Sequence, residues 1–132
     1  MSISGIPTDK FIFLGFPPNK KGRQKFIKKI FDACFPAVVY ESKHRIIKFL
    51  EEIENLNKEI ELYNNKLEEK KACGVYKKEL SEKKIPVTSV VVCRELSKMH
   101  ETVYRGLLSD IVRKIKENKD NQKGEFVVIV GK

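Results

Sequence analysis

The sequence lacks any long hydrophobic run. Its longest uninterrupted apolar stretch is the five residues from Phe126 to Val130, whereas a helix that crosses a bilayer needs roughly 20 apolar residues. The first residues contain no basic segment followed by an apolar one, so we expect no signal peptide. These absences argue against a protein that spans a membrane or is secreted.

Cysteine is also scarce, and its pattern excludes two classes of small protein. The chain has only Cys34, Cys73 and Cys93, and no two of them form a CxxC pair. An odd, widely spaced set does not fit a disulfide framework or a typical zinc site, so we predict no metal. A reducing, cytoplasmic location is expected. Cys34 and Cys93 both lie in apolar runs, which predicts that they are small buried hydrophobic residues.

The common catalytic and nucleotide-binding fingerprints are missing as well. The sequence contains no GxGxxG, Walker A or GxSxG motif. His100 and Glu101 are adjacent but lack the HExxH spacing of a metalloprotease. There is no internal repeat or low-complexity linker. None of these motifs therefore indicates the function of the chain.

Positive charge is abundant. The 132 residues include 27 Lys and Arg against 18 Asp and Glu, a net charge of +9. Such a balance suits a polyanionic partner, either nucleic acid or an anionic membrane surface. Lysine greatly outnumbers arginine, which fits a general compositional bias equally well.

Hydrophobic periodicity predicts an α/β domain. Strands are expected where β-branched and aromatic residues cluster between turn residues, and helices where apolar residues recur every three to four positions. The expected strands are 10–16 and 37–40, both of them buried, together with 87–93, 101–105 and 125–130. The expected helices are 20–35, a long one from 46, and 107–118. The order β-α-β-α-β-β-α-β implies a mixed five-stranded sheet covered by helices.

The long helix carries a heptad pattern. Apolar residues repeat every seven positions and again three positions later, at Ile46, Ile53, Ile60 and Leu67 and at Phe49, Leu56 and Tyr63. We expect its first half to pack on the sheet and its second half, past Asn57, to project outward. Gly74 is expected to end the helix, and 75–84 to form a loop or a short helix.

The segment after the first strand is basic. Lys20 and Lys21 open a run without acids at the start of a helix, where backbone N–H groups favour an anion. The alternative for these lysines is an ordinary solvated helix face. Arg23 differs because it lies seven residues before Ile30, on the apolar side, where a guanidinium needs a carboxylate or phosphate partner.

Two further polar clusters follow buried strands, where ligands of α/β sheets gather. In the first, 40–45, Glu41, His44 and Arg45 could position a substrate, and an imidazole can act as a base near neutral pH. The alternative is a helix N-terminus capped by Ser42. The second cluster, 94–105, holds acids and bases that could form a site or an ion-pair network.

Taken together and in order, these features resemble one family. The motifs are G-I-P-T-D-K-F-I-F-L-G-F-P-P at 5–18, the following Arg23, Y-E-S-K-H-R at 40–45, R-E-L-S-K at 94–98 with H-E at 100–101 and R-G at 105–106, and G-E-F-V at 124–127. They are similar to motifs of the bacterial small-subunit ribosomal RNA methyltransferase I family, within the tetrapyrrole methylase superfamily. Lys43 stands where the family has proline.

The resemblance implies a fold and an activity. Family members methylate a cytidine ribose 2′-oxygen in small-subunit ribosomal RNA, using S-adenosylmethionine bound between two domains. The match covers the C-terminal domain, so 1–132 is expected to be that domain, with the N-terminal domain absent and an extended helical and charged insertion at about 57–86. A full-length protein is expected to be a homodimer, and the isolated chain to be inactive.

The resemblance also assigns residues. Tyr40, Glu41 and Leu96 are expected near the cofactor's adenosine. The candidates for the catalytic base, or for a cation that stabilises the alkoxide, are Glu41, His44, Glu95 and Lys98. The candidates for RNA contacts are Lys20, Lys21, Arg23, Arg45 and Arg105. Two alternatives remain open: a structural Arg/Glu network, and a stand-alone basic module that binds RNA or completes a separate methyltransferase chain.

Overall fold

The computed structural model describes residues 9–72, 85–94, 101–117 and 124–131. Within these residues the elements follow the predicted order. They are β1 (Ile12–Gly15), α1 (Arg23–Asp32), β2 (Ala37–Ser42), α2 (Ile46–Ala72), β3 (Ser89–Arg94), β4 (Thr102–Gly106), α3 (Leu108–Glu117) and β5 (Glu125–Gly131).

The five strands form one mixed sheet in the order β1-β2-β5-β3-β4, which confirms the predicted fold class. β1 and β2 are parallel, whereas β5 runs antiparallel to both β2 and β3 and β4 antiparallel to β3. Consequently the C-terminal ends of β1, β2 and β3 and the N-terminal ends of β4 and β5 lie at the same end of the sheet. We call this the switch end.

All three described helices pack on one face of the sheet. Strand side chains alternate between faces, and the positions that face the helices form one core with the apolar stripes of the helices. Its central members are Ile27, Ile30, Val39, Ile46, Phe49, Ile53, Val92, Ile111, Ile115, Phe126 and Val128. A smaller cluster, formed by Val38, Val91, Cys93 and Ile129, lies on the opposite face.

The predicted heptad pattern corresponds to a single helix of 27 residues. The a-type positions Ile46, Ile53, Ile60 and Leu67 are all buried. Asn57 fixes the middle of the helix to the chain that enters β3, because its amide group exchanges two hydrogen bonds of 2.9 Å with the backbone N–H and C=O of Val87. The expected helix end at Gly74 and the segment 75–84 lie outside the described residues.

The prediction of a buried first strand was wrong in two respects. β1 covers only Ile12–Gly15 and lies at the edge of the sheet, paired on one side alone. On the face away from the helices nothing described covers it, so Phe13 is 57% exposed, and the flanking Phe11 and Phe16 are 49% and 63% exposed. The strand-forming residues were identified correctly, but their pattern does not reveal which strand becomes the edge.

The first helix is shorter than predicted, and this changes the environment of one cysteine. α1 begins at Arg23, directly after Gly22, whose φ of 86° is the left-handed conformation that favours glycine. It ends at Asp32, so Cys34 no longer lies on a helix face and is exposed. The expectation that Cys34 is buried was therefore wrong. The same expectation was right for Cys93, which is 1% exposed.

Candidate functional site

An open groove of about 870 Å³ lies at the switch end. The end of β2 and the start of β5 form its walls, because Ser42 pairs with Glu125 and Glu41 with Phe126 in the antiparallel ladder. The groove is lined by Phe16, Tyr40, Glu41, Ser42, Lys43, His44, Gly124, Glu125, Phe126 and Val127. Its size is within the range of pockets that hold small ligands and cofactors, about 300–1,000 Å³.

The structure brings three of the predicted site residues together in this groove: Tyr40, Glu41 and His44. His44 lies in the short turn between β2 and α2 and is exposed, so a ligand in the groove can reach its imidazole. Tyr40 points to the face opposite the helices and is 38% exposed. Lys43, which replaces a proline of the family motif, is exposed beside them.

Glu41 has a different environment, since it is buried at 1% exposure. Its Oε1 accepts hydrogen bonds from the backbone N–H of Ser42 at 2.8 Å and from Nε of Arg45 at 3.2 Å. Its Oε2 lies 3.9 Å from Nη2 of Arg23, and neither of these two atoms has a hydrogen-bond partner among the residues that the structure describes. Two arginines therefore flank one buried carboxylate, which holds it in place below the groove.

Arg23 is the second buried charge, at 5% exposure. Its Nε donates to both carboxylate oxygens of Glu52, at 2.7 and 3.0 Å, and its Nη1 donates to the carbonyl of Pro18 at 3.3 Å. The prediction that an inward-facing Arg23 needs an anionic partner is confirmed, and the partners are Glu52 and Glu41. This position favours the structural role left open above, while direct contact of Arg23 with RNA stays a prediction.

Glu52 was missed by the sequence reasoning. It lies in the second turn of α2, directly before the a position Ile53, and nothing local distinguishes it from the neighbouring acids. The available signal was indirect: an inward arginine on α1 requires a carboxylate on the next helix to pack against it. We call the set Arg23, Glu41, Arg45 and Glu52 the ion-pair network.

The other candidates are distributed unevenly around the groove. Lys20 and Lys21 are exposed in the segment that leaves β1 at the switch end. Arg105 is exposed on β4, opposite Val91, toward the other end of the sheet and three strands from β2. The structure therefore does not bring Arg105 to the groove. The remaining predicted residues, Glu95, Leu96 and Lys98, lie outside the described residues.

Near the end of β3, burial shifts the pKa of two ionisable groups. Burial raises the pKa of the Cys93 thiol above its ordinary value of 9.0. Burial likewise raises the pKa of Tyr104, although the nearby Arg94 guanidinium opposes the shift. Arg94 itself donates from Nη2 to Oγ1 of Thr102 at 3.4 Å. Burial therefore disfavours the charged form of each group.

Three aromatic rings form a cluster beside the groove, which the sequence reasoning also missed because it expected the first strand to be buried. The Tyr40 ring lies between those of Phe13 and Phe16, with centroid distances of 5.1 and 5.6 Å. The Phe13 and Tyr40 planes meet edge to face at 72°, an arrangement that aromatic pairs favour, and the Phe16 and Tyr40 planes are tilted by 58°. Phe16 and Tyr40 belong both to this aromatic cluster and to the groove.

The described part of the chain lacks two features that would indicate other functions. It contains no cluster of three or more His, Cys, Asp or Glu side chains placed to hold a metal ion. None of the helices in it combines the length and apolar character that a bilayer span needs.

Comparison with curated proteins finds consistent relatives. The chain is 32% identical over 130 residues to a protein of Hydrogenobaculum sp. (strain Y04AAS1) named "Ribosomal RNA small subunit methyltransferase I", covering 98% of this chain and 44% of the relative. A protein of the same name from Escherichia coli O157:H7 is 30% identical over 131 residues, covering 98% and 36%. One from Coprothermobacter proteolyticus is 29% identical over 131 residues, covering 98% and 44%.

No family model matches the sequence. The chain spans less than half the length of each of these relatives. The resemblance identified from the motifs is therefore confirmed by homologues of that name that align with almost the whole chain.

Proposed function

We propose that this chain, a homologue of a segment of the ribosomal RNA small subunit methyltransferase I proteins, is part of an S-adenosylmethionine-dependent methyltransferase that modifies small-subunit ribosomal RNA. The observation that carries the proposal is the alignment of 98% of the chain with proteins of that name. In this proposal the chain corresponds to their C-terminal domain. It supplies one wall of a cleft for cofactor and RNA, and a second domain supplies the other.

The groove suits the adenosine part of the cofactor. It has the volume of a small-ligand site, an aromatic wall formed by Phe16 and Tyr40, and polar groups at its rim. Apolar and aromatic walls with a few placed polar groups are what small-molecule sites require. The proposed cofactor contacts are Tyr40 and Glu41, together with Leu96. Glu41 acts here through its fixed position, because its carboxylate is already engaged by the ion-pair network.

The proposed reaction is methylation of a cytidine ribose 2′-oxygen. The cofactor's sulfonium supplies an electrophilic methyl group, so a new O–CH₃ bond forms as the S–CH₃ bond breaks, and the hydroxyl proton must leave the oxygen. The protein then has to orient the hydroxyl, exclude water and accept that proton. Which residue of this chain can perform each task depends on which side chains are exposed in the groove.

Among the described candidates, His44 is the group best placed to accept the proton. It is exposed at the lip of the groove, whereas the side chain of Glu41 is fully buried and accepts two hydrogen bonds. Glu95 and Lys98 stay as candidates from the sequence. We assign the RNA phosphates to Lys20, Lys21 and Arg45, which lie at the switch end, and keep Arg23 and Arg105 as predictions from the sequence. A homodimer and a cytoplasmic location are also part of the proposal.

Methyl transfer tests the proposal directly. The complete product of the native gene that contains this chain should transfer a labelled methyl group from S-adenosylmethionine to small-subunit ribosomal RNA. The product should resist alkaline cleavage at one cytidine, because a methylated 2′-oxygen cannot attack the adjacent phosphate. A methyl group on a base, or no transfer to this RNA, would refute the proposal.

Two variants test the proposed roles. His44→Ala should lower the rate of methyl transfer by about 10²–10⁴-fold while leaving RNA affinity within a few fold. Lys48→Ala, an exposed lysine of the first turn of α2, is the matched control and should retain the parent rate. Equal rates for the His44→Ala variant and the parent would exclude His44 as the base.

The isolated chain of 132 residues provides a separate test of the shared cleft. Titration calorimetry with S-adenosylmethionine should give no measurable heat of binding, because this chain holds only one wall of the proposed site. Micromolar affinity would contradict the shared cleft. A stand-alone RNA-binding module is the second candidate, favoured by the net charge of +9, and salt-dependent RNA binding without any methyl transfer would support it.

A further inference from the structure

We propose that the aromatic cluster of Phe13, Phe16 and Tyr40 is a stacking surface for an unpaired base of the RNA substrate. This inference rests on the proposed function and adds a base-binding site to it. Phe13 has no part in the cofactor or catalytic assignments made above, and Phe16 and Tyr40 join this cluster to the groove wall proposed for the adenosine.

The rings are exposed although Phe13 and Tyr40 come from strands of the sheet and Phe16 directly follows β1. Phe13, Phe16 and Tyr40 are 57%, 63% and 38% exposed. Phe13 and Tyr40 lie on the face that carries no described helix, on adjacent strands whose register pairs Phe13 with Val38. Because the Tyr40 ring meets that of Phe13 edge to face at 72° and is tilted by 58° from that of Phe16, these rings do not stack face to face on one another, and their exposed faces leave aromatic surface for a planar ligand.

Leaving three neighbouring rings in water is unfavourable, and contiguous exposed apolar surface marks an interaction site more often than scattered residues do. The exposed large aliphatic residues that are described, Leu62, Ile85 and Leu107, lie on other segments. The surface is therefore aromatic rather than mixed. Unpaired bases are bound by stacking on such rings, and this binding tolerates many sequences because every base has a flat π-face.

The charge around the aromatic cluster fits a polyanion. Residues 9–45 contain nine Lys and Arg but only three Asp and Glu, so most of the net charge of +9 comes from this part of the chain. Lys20, Lys21 and Lys43 are exposed, and Nζ of Lys10 lies 5.7 Å from the ring centroid of Phe35. A base on the rings would thus have cations available for its flanking phosphates.

The position of the cluster gives the base a role. Since Phe16 and Tyr40 also line the groove, a base stacked on these rings holds the adjoining ribose and phosphate at the groove entrance. Exposed His44 lies in the same groove. Stacking at this point would set the register of the RNA strand relative to the reacting hydroxyl.

The test measures binding of fluorescein-labelled single-stranded RNA to the 132-residue chain, with the same sequence in duplex form for comparison. The variants are Phe13→Leu and Phe16→Leu, which keep an apolar side chain but remove the ring, and Phe13→Trp, which keeps a ring. Leu62→Ala, an exposed apolar residue on α2, is the control. Thermal unfolding of every variant establishes that it is folded.

Each leucine variant should weaken single-strand binding by about 5- to 100-fold, the effect of losing one base–aromatic stack. Duplex binding and the salt dependence of single-strand binding should not change, because no charge is removed. Phe13→Trp and the Leu62→Ala control should bind as the parent does. This pattern would support a base-stacking surface.

Three results would overturn the inference. The first is unchanged single-strand binding by both leucine variants, which would leave a protein partner as the occupant of the surface. The second is equal weakening of single-strand and duplex binding. The third arises in the complete gene product, if Phe13→Leu weakens S-adenosylmethionine binding but not RNA binding, since the cofactor's adenine would then be the occupant. Ring-dependent RNA binding without methyl transfer would instead refute the proposed function and leave this inference standing.

Discussion

Replacing Arg23 by methionine tests whether the ion-pair network holds the switch end together. Arg23 makes two charged hydrogen bonds to Glu52, at 2.7 and 3.0 Å, and lies 3.9 Å from the buried carboxylate of Glu41. Methionine keeps the apolar stem that packs between the helices but removes the cation. Of its described partners, Glu41, with a fully buried side chain, would then retain Arg45 and the backbone N–H of Ser42.

The expected loss of folding stability follows from how deeply Glu41 and Glu52, the partners of Arg23, are buried. Removing one member of a buried ion pair costs about 3–5 kcal/mol, since the other charge stays buried. Glu52 is 20% exposed, so water can hydrate part of its carboxylate, and Glu41 keeps one cation. We therefore expect the free energy of unfolding of Arg23→Met to fall by about 3 kcal/mol, with no loss of helix content in the folded state.

Urea unfolding followed by circular dichroism at pH 7 measures this loss, and an unchanged m-value shows that the same surface is exposed on unfolding. The double variant Arg23→Met, Glu41→Gln should lose less stability than the two single variants added together, because both buried charges are gone. Arg113→Met is the control: its side chain is 66% exposed and its ion pairs lie at the surface, so it should change stability by less than about 0.5 kcal/mol.

A loss below about 0.5 kcal/mol for Arg23→Met would refute the reasoning, as would additive losses in the double variant. In either case the carboxylate of Glu41 would not depend on Arg23, and the switch end would be held by backbone pairing alone.

Three further outcomes are expected. Asn57→Ala should lower the free energy of unfolding by about 1–3 kcal/mol in urea, because the buried backbone groups of Val87 lose both partners; an unchanged midpoint would contradict this. Iodoacetamide should alkylate exposed Cys34 long before buried Cys93, as read by peptide mass spectrometry; equal rates would contradict the burial of Cys93. Burial raises the pKa of Cys93 and of Tyr104, so the unfolded chain loses these protons first and stability should fall as pH rises above about 9. The Cys93→Ala variant should show a shallower fall, and a slope equal to the parent's would exclude a contribution from the thiol.

The elements of the fold could be predicted from local pattern. Clusters of β-branched and aromatic residues between turns, and apolar residues at helical spacing, identified five strands and three helices in the right order. The inward position of Arg23 indicated a buried charge that needs a partner. The boundaries shifted where a turn decides them, as at Gly22, whose left-handed conformation delays the start of α1 to Arg23. Cys34 became exposed for a related reason, since α1 ends at Asp32.

The candidate site was only partly accessible from sequence. Tyr40, Glu41 and His44 could be singled out because they follow a strand, and the structure does bring them to one groove. The separation of Arg105 from that groove depends on the position of β4 at the far edge of the sheet. Glu52 joins the site through helix packing across 29 residues of sequence, a contact that no local pattern encodes.

The sequence by itself determined the order of elements, the excess of positive charge and the motifs shared with the relatives, because each depends on neighbouring residues or on composition. Only the tertiary structure decided which strand is the edge, and therefore that Phe13 and Phe16 are exposed beside Tyr40. It also decided that Glu41 is buried between Arg23 and Arg45, so that of the candidates Glu41 and His44 it is His44 that presents an exposed side chain at the groove. The physical reason is that burial and pairing depend on which elements meet across the sheet, and a strand's own residues do not specify its neighbours.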